Sequence, residues 1–160
     1  MISDQVLHLH RDHVRAEWVD EYDHMNLAYY VLVCDQATYE FWEMINNHHG
    51  IEHRQGAEYA VVETHVNYLA EVRLSAPLLV TTQLLEFDEK RFRIFHELHQ
   101  TDRNYLAATN EVLALGFDLN ERGVMNFKPS VQQSLSTIHS QHKKLAVPRN
   151  AGRSIRILKA

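Results

Sequence analysis

The 160-residue chain has one cysteine, five glycines and three prolines. A single thiol cannot close an internal disulfide, so stability must come from an apolar core, and a reducing cytoplasmic setting is expected. So little glycine and proline excludes a collagen-like or low-complexity chain. No apolar run reaches the roughly 18 residues that a membrane-spanning helix needs. The segment Met1-Ile2-Ser3-Asp4-Gln5 has neither a basic region nor an apolar stretch, so no secretory leader is expected. At 45% hydrophobic and 23% charged residues, the chain is too apolar for wholesale disorder. Its net charge of -5 argues against nucleic acid as a partner. The length fits one domain, which typically runs to roughly 100–200 residues.

Acidic residues are missing from the C-terminal part. All 21 lie within residues 1–121, whereas residues 122–160 carry eight lysines and arginines and no acid. The chain therefore divides into a body, residues 1–127, and a basic C-terminal helix and tail, residues 128–160. The basic run includes Lys128, Lys143, Lys144, Arg149, Arg153, Arg156 and Lys159. It reads either as a solvated tail on an acidic body or as a strap that meets ligand phosphates or a neighbour's acidic surface.

The hydrophobic period changes along the body. Val6, His8, His10 and Val14 give a weak alternation, a first strand. A polar, irregular stretch, Glu17 to Asn26, follows, with Asn26 suited to cap a helix. From Leu27 the apolar positions Tyr30, Val31, Cys34, Thr38, Phe41 and Ile45 recur at three- and four-residue steps, which predicts a helix of about twenty residues. Ala28, Val33, Ala37 and Trp42 widen this stripe beyond what a surface helix needs. The asparagines and Gly50 of Asn46-Asn47-His48-His49-Gly50 should end the helix. Four long strands are then predicted: Tyr59 to Val72, Leu78 to Phe87, Phe92 to Gln100, and Tyr105 to Leu119 with Gly116 as a bulge. Short connections favour an antiparallel meander. The expected class is α+β, a long central helix wrapped by one curved antiparallel sheet. Pairing the free sheet edges of two chains would give a homodimer, or a tetramer of two such dimers.

The stretch Glu17-Trp18-Val19-Asp20-Glu21-Tyr22-Asp23-His24-Met25-Asn26-Leu27-Ala28-Tyr29-Tyr30 resembles the signature of hotdog-fold acyl-CoA thioesterases. In that superfamily an aspartate precedes the central helix, and a Gly-His-x-Asn element and a tyrosine open it. These fall on Asp20, His24, Asn26 and Tyr30. Val62 to Glu71 resembles the first strand after the helix, and Ala107 to Glu111 the last. The wording is closest to the betainyl-CoA branch of carnitine breakdown. Asp23 stands where the family has glycine, so a left-handed backbone is expected there. In the hydroxybenzoyl-CoA branch the catalytic aspartate lies six residues before the histidine; here that slot is Trp18, and a role for Asp20, four before, requires a shorter loop.

The resemblance implies hydrolysis of a short-chain acyl-CoA without cofactor or metal. A carboxylate would activate water or attack the carbonyl, and donors would hold the oxyanion. Amide hydrogens at the helix start, Asn26 to Ala28, are well placed for the second task. Asp20 is the first candidate carboxylate and Glu63, on the neighbouring strand and able to reach across a dimer, the second; His24 would orient the acid or hold the thioester oxygen. Each has a structural alternative: a turn residue, a loop histidine, a plain cap, a solvated strand face. Trp18, Tyr22, Tyr29 and Tyr30, with Trp42, are candidates to bind the substrate, because a betainyl group carries a quaternary ammonium and aromatic faces attract cations. The same aromatics would also serve as core around a pocket for a small neutral acyl group. Arg73, Lys90, Arg91, Arg93 and Lys128 are candidates for the CoA phosphates. The histidine groups His8, His10, His13 and His48, His49, His53 lack a metal-site pattern, and Cys34 reads as inert core. A hydratase is disfavoured by the absence of Asp-x-Asn-Pro-x-His; a non-catalytic binder of CoA thioesters is the remaining alternative.

Overall fold

A computed structural model describes residues 2–157; Met1 and residues 158–160, including the basic Lys159, lie outside the described residues. Strand β1, Leu7–His13, and a single 3-10 turn, Ala16–Trp18, lead to helix α1, Leu27–Ile45. A short helix α2, Ile51–Arg54, precedes β2, Ala57–Tyr68; β3, Pro77–Phe87; β4, Arg91–Gln100; and β5, Tyr105–Asp118. A two-residue strand β6, Gly123–Val124, and helix α3, Pro129–His142, complete the order. No helix among the described residues is long and apolar enough to cross a membrane.

All strands form one antiparallel sheet in the order β1-β3-β4-β5-β2, with β6 on β5. Only β3, β4 and β5 make the expected meander. Strand β2 skips its sequence neighbour and pairs with β5, from Ala57 against Asp118 to Tyr68 against Ala108. The reason lies in the link after β2. Leu69 and Ala70 both donate to the Ala107 carbonyl, and Ser75 takes a left-handed turn, which carries the chain across to β3 beside β1. Both edges, β1 and β2, thus belong to strands next to α1 in sequence.

Helix α1 runs along the concave face. Tyr30, Val33, Cys34, Ala37, Thr38, Phe41, Trp42 and Ile45 are buried on it, spread around enough of the cylinder to meet a curved sheet. Its first half packs with Val14, Val72, Val80 and Leu98; its second half packs with Leu84, Phe92, Ile94 and Val112. Val131 and Leu135 of α3 close the second cluster. The apolar area removed from water here, at about 25 cal/mol per Å², is what holds the trough shut around the helix.

Between the two clusters lies a polar seam. The His96 ring accepts and donates to two hydroxyls, Thr38 Oγ1 at 2.9 Å from Nε2 and Thr82 Oγ1 at 2.8 Å from Nδ1. Thr38 spends its hydrogen on the Cys34 carbonyl, so Nε2 donates to Thr38 and Nδ1 accepts from Thr82. The imidazole is therefore neutral, and burial lowers its pKa to about 3. Burial likewise pushes the Cys34 thiol up to about 12, consistent with an inert core position.

Two local expectations change. Helix α1 is stopped by Asn46, with Asn47 and His48 left-handed, whereas Gly50 caps the start of α2 with an ordinary φ of -59°. Gly116 stays in register opposite Tyr59 rather than forming a bulge. A Cβ there would lie 2.5 Å from the Met125 carbonyl, so glycine is needed to let the β6 segment approach. The bulges fall instead between Val61 and Glu63 of β2, on β1 and β3, and on β5 at Ala107.

The basic segment crosses the convex face. After α3, the Ala146 carbonyl accepts from Gln83 of β3, the Gly152 amide donates to Glu111 of β5, and Arg153 donates to Asn67 of β2. Residues 145–153 thus form a strap over three strands, while Ile155, Arg156 and Ile157 stand exposed beyond it.

Candidate active site

The loop before α1 is a compact hairpin. Val19 and Met25 bridge, Asp20 N–H donates to the His24 carbonyl at 3.1 Å, and Asp23 N–H donates to the Asp20 carbonyl at 3.1 Å. Asp23 has φ 64°, the left-handed conformation expected where the family has glycine. This tight turn brings Asp20 and His24 to facing positions of one short hairpin. The loop is docked on the body by Met25 N–H to the Val72 carbonyl and Asn26 N–H to the Trp18 carbonyl.

Asp20 is largely covered, its side chain 19% exposed. Its Oδ1 accepts from Tyr22 N–H at 2.9 Å, and Oδ2 has no hydrogen-bond partner among the described residues. The His24 ring lies between two acids, 3.9 Å from Asp20 and 3.7 Å from Glu71. These separations exceed direct hydrogen bonds and leave room for small adjustments. Asn26 caps α1, its Oδ1 accepting from Ala28 N–H at 3.0 Å. The Leu27 N–H, one position earlier, has no acceptor among the described residues. Beside Glu71 opens a cleft of about 720 Å³, also lined by Arg73 and Tyr105.

The aromatic candidates do not form one box within the protomer. Trp18, buried, stacks on Tyr29 at 5.3 Å, and the Arg15 guanidinium lies 4.8 Å from the Trp18 ring centre. Tyr22, 72% exposed, stacks on His24. Tyr30 is buried; its hydroxyl donates to the Ala70 carbonyl and accepts from Val72 N–H, and burial raises its pKa. It therefore positions the link after β2. Trp42 lies at the far end of α1, in the second core cluster, with Nε1 donating to Glu58 at 2.8 Å.

Glu63 is not brought to this cluster. It sits opposite Leu113 on the convex face of β2, exposed, while the hairpin meets the concave side. Sequence reasoning missed Glu71, which approaches His24. Glu71 carried no local signal, since only the fold brings it to the hairpin. Among the described residues no three His, Cys, Asp or Glu side chains gather as a metal would require.

Residues 14–135, which include the hairpin and α1, match the Thioesterase-like superfamily, and the chain belongs to that family. It is 32% identical over 155 residues to the betainyl-CoA thioesterase of Pseudomonas aeruginosa, with 94% of this chain and 95% of that protein matched. It is also 32% identical over 160 residues, 98% of its length, to the L-carnitine dehydrogenase/betainyl-CoA thioesterase of Agrobacterium fabrum, but spans only 32% of that longer protein. Among solved structures, a hypothetical protein of Staphylococcus aureus in complex with CoA superposes with a TM-score of 0.86 at 23% identity, covering 99% of this chain and all of that one (100%). The hotdog fold is thereby established.

Proposed function

We propose that the chain hydrolyses a short-chain acyl-CoA to the acid and CoA. The observation that carries this reading is Asp20, held half-hidden by a left-handed hairpin with one carboxylate oxygen unspent, at the mouth of the buried helix. In this reading Oδ2 takes a proton from water or attacks the thioester carbon. His24 orients the acid or the thioester oxygen, and the Leu27 N–H holds the developing oxyanion, since the Asn26 and Ala28 N–H groups are engaged by the Trp18 carbonyl and Asn26 Oδ1. Replacing Asp20 by Asn keeps the shape and removes the base. Thiol release, followed with a thiol reagent across an acyl-CoA panel, should fall by about 10²–10⁴. Unchanged turnover would transfer the role to another carboxylate, with Glu63 of a second chain next in line; no release from any thioester would favour a binding protein.

Betainyl-CoA is the substrate we infer within that class. The related Pseudomonas aeruginosa and Agrobacterium fabrum proteins carry that name, and one exposed aromatic ring, Tyr22, stands over His24. The face of Trp18 is already occupied by Arg15, so Tyr22, open to solvent above His24, is the ring available to a trimethylammonium group. One such contact is worth about 0.5–2 kcal/mol. Betainyl-CoA should therefore outpace 3,3-dimethylbutyryl-CoA, its neutral isostere, in kcat/KM; equal values would discard the cation reading.

The working unit in this proposal is a homodimer joined through β2. Edge strand β1 is guarded by His8, His10, Arg11, Asp12 and His13, whereas β2 exposes Val61 and Val62, and α1 exposes Leu32 and Tyr39. Light scattering on the full chain should give twice the chain mass of 18.7 kDa, and Val62→Lys should shift it towards one.

A further inference from the structure

We propose that the strap roofs a phosphate-binding groove on the convex face of the sheet, and that it takes the phosphorylated nucleotide end of CoA. The proposal rests on the acyl-CoA reading above. The groove has a volume of about 740 Å³, within the ordinary range for ligand sites. Arg149 and Arg153 line it from the strap, Arg156 from just beyond the strap, and Thr109 from strand β5. Thr109 is only 2% exposed, yet its Oγ1 has no hydrogen-bond partner among the described residues. The Arg153 Nε is buried and equally unpartnered, although its Nη1 donates to Asn67 at 3.0 Å. Buried donors left unsatisfied are costly, and a ligand oxygen would relieve both.

Charge supports the same occupant. Arg91 is engaged by Asp88, Arg93 by Glu86 and Glu111, and Lys128 by the Arg54 carbonyl, so these bases are spent inside the fold. Glu111, on the groove side of the sheet, is neutralised by Arg93 and the Gly152 amide. Glu97 is the remaining acid on the groove wall, 3.3 Å from His99. Three arginines against one carboxylate leave a positive surface, and guanidinium forks suit phosphate oxygens.

Position completes the case. Asn67 holds the strap on the convex face, and the next residue, Tyr68, reaches the Leu27 carbonyl at the start of α1 on the concave face. The two sites thus lie on opposite sides of one sheet edge. An extended pantetheine arm crossing at Leu69, which also lines the groove, would join phosphates here to a thioester there.

The test is calorimetric binding of CoA and of pantetheine, which lacks the phosphates, to the full chain. Variants are the surface double substitution Arg149→Ala/Arg156→Ala and the near-isosteric Thr109→Val. The double variant should bind CoA at least about tenfold more weakly, as expected for lost charge-assisted bonds, and Thr109→Val should lose about threefold or more. Pantetheine binding should not change, and the salt dependence of CoA binding should flatten in the double variant. Unchanged CoA affinity, or equal losses for CoA and pantetheine, would overturn the groove. Arginine-dependent CoA binding without thiol release would keep the groove and remove the hydrolase; thiol release with arginine-independent binding would do the reverse.

Discussion

Acidifying the protein from pH 7 to pH 5 should weaken it through one buried ring. His96 is neutral in the fold, with a pKa of about 3, against about 6.5 in an unfolded chain. The unfolded state therefore binds the proton that the folded state refuses. The stabilisation is complete well above pH 6.5, declines as the pH falls through 6.5, and stops declining only near 3. Over the step from pH 7 to 5 this amounts to about 2 kcal/mol, at about 1.4 kcal/mol per unit once protonation of the unfolded ring is complete. Burial lowers the pKa of His142 as well, which adds loss of the same sign. Urea unfolding of wild type and His96→Gln at pH 7, 6 and 5, at one fixed protomer concentration, isolates the ring. The variant should start lower at pH 7, because Thr38 and Thr82 lose well-placed partners. Between pH 7 and 5 it should lose about 2 kcal/mol less than wild type. Parallel lines for the two proteins would refute the assignment of a neutral, proton-refusing His96.

Other substitutions test other parts. Arg54 is 2% exposed and bonds Glu58, Glu43 and the His49 carbonyl, so Arg54→Ala should destabilise by about 3–5 kcal/mol in denaturant titrations, by stranding covered carboxylates. Tyr30→Phe removes a hydroxyl that both donates and accepts at the link after β2; a stability loss of about 1–3 kcal/mol is expected, with a larger fractional drop in kcat than Tyr22→Phe gives. Asp23→Val places a β-branched residue at φ 64° and should cost about 1–2 kcal/mol as well as turnover, whereas Asp23→Gly should keep both.

The long helix was legible because its stripe is wide and its cap is an asparagine, both local signals. The strand segments were legible for the same reason, from alternation and turn residues. Their pairing was not: nothing in the residues of β2 says that Leu69 and Ala70 will anchor on Ala107, and that contact decides which neighbour β2 takes. At the site, the hairpin could be anticipated from Asp23 standing in a glycine position. Glu71 could not, since it meets His24 only after 47 residues of chain have returned. The face on which Glu63 lies was not legible either, because the bulge at Val62 shifts the register beyond it and turns Glu63 to the convex side. The C-terminal charge asymmetry was visible at once, but only the bonds to Gln83, Glu111 and Asn67 show which surface the segment covers.

The ring between Thr38 and Thr82 also acts as a registration pin. Sliding α1 by one turn, about 5.4 Å, would carry Thr38 away and strand the Nε2 of His96 in the interior, while Thr82 of β3 would still hold Nδ1. Greasy side chains alone would tolerate such a slip far better. The helix is thereby kept at one depth in its trough, and the hairpin that leads into it inherits that fixed height.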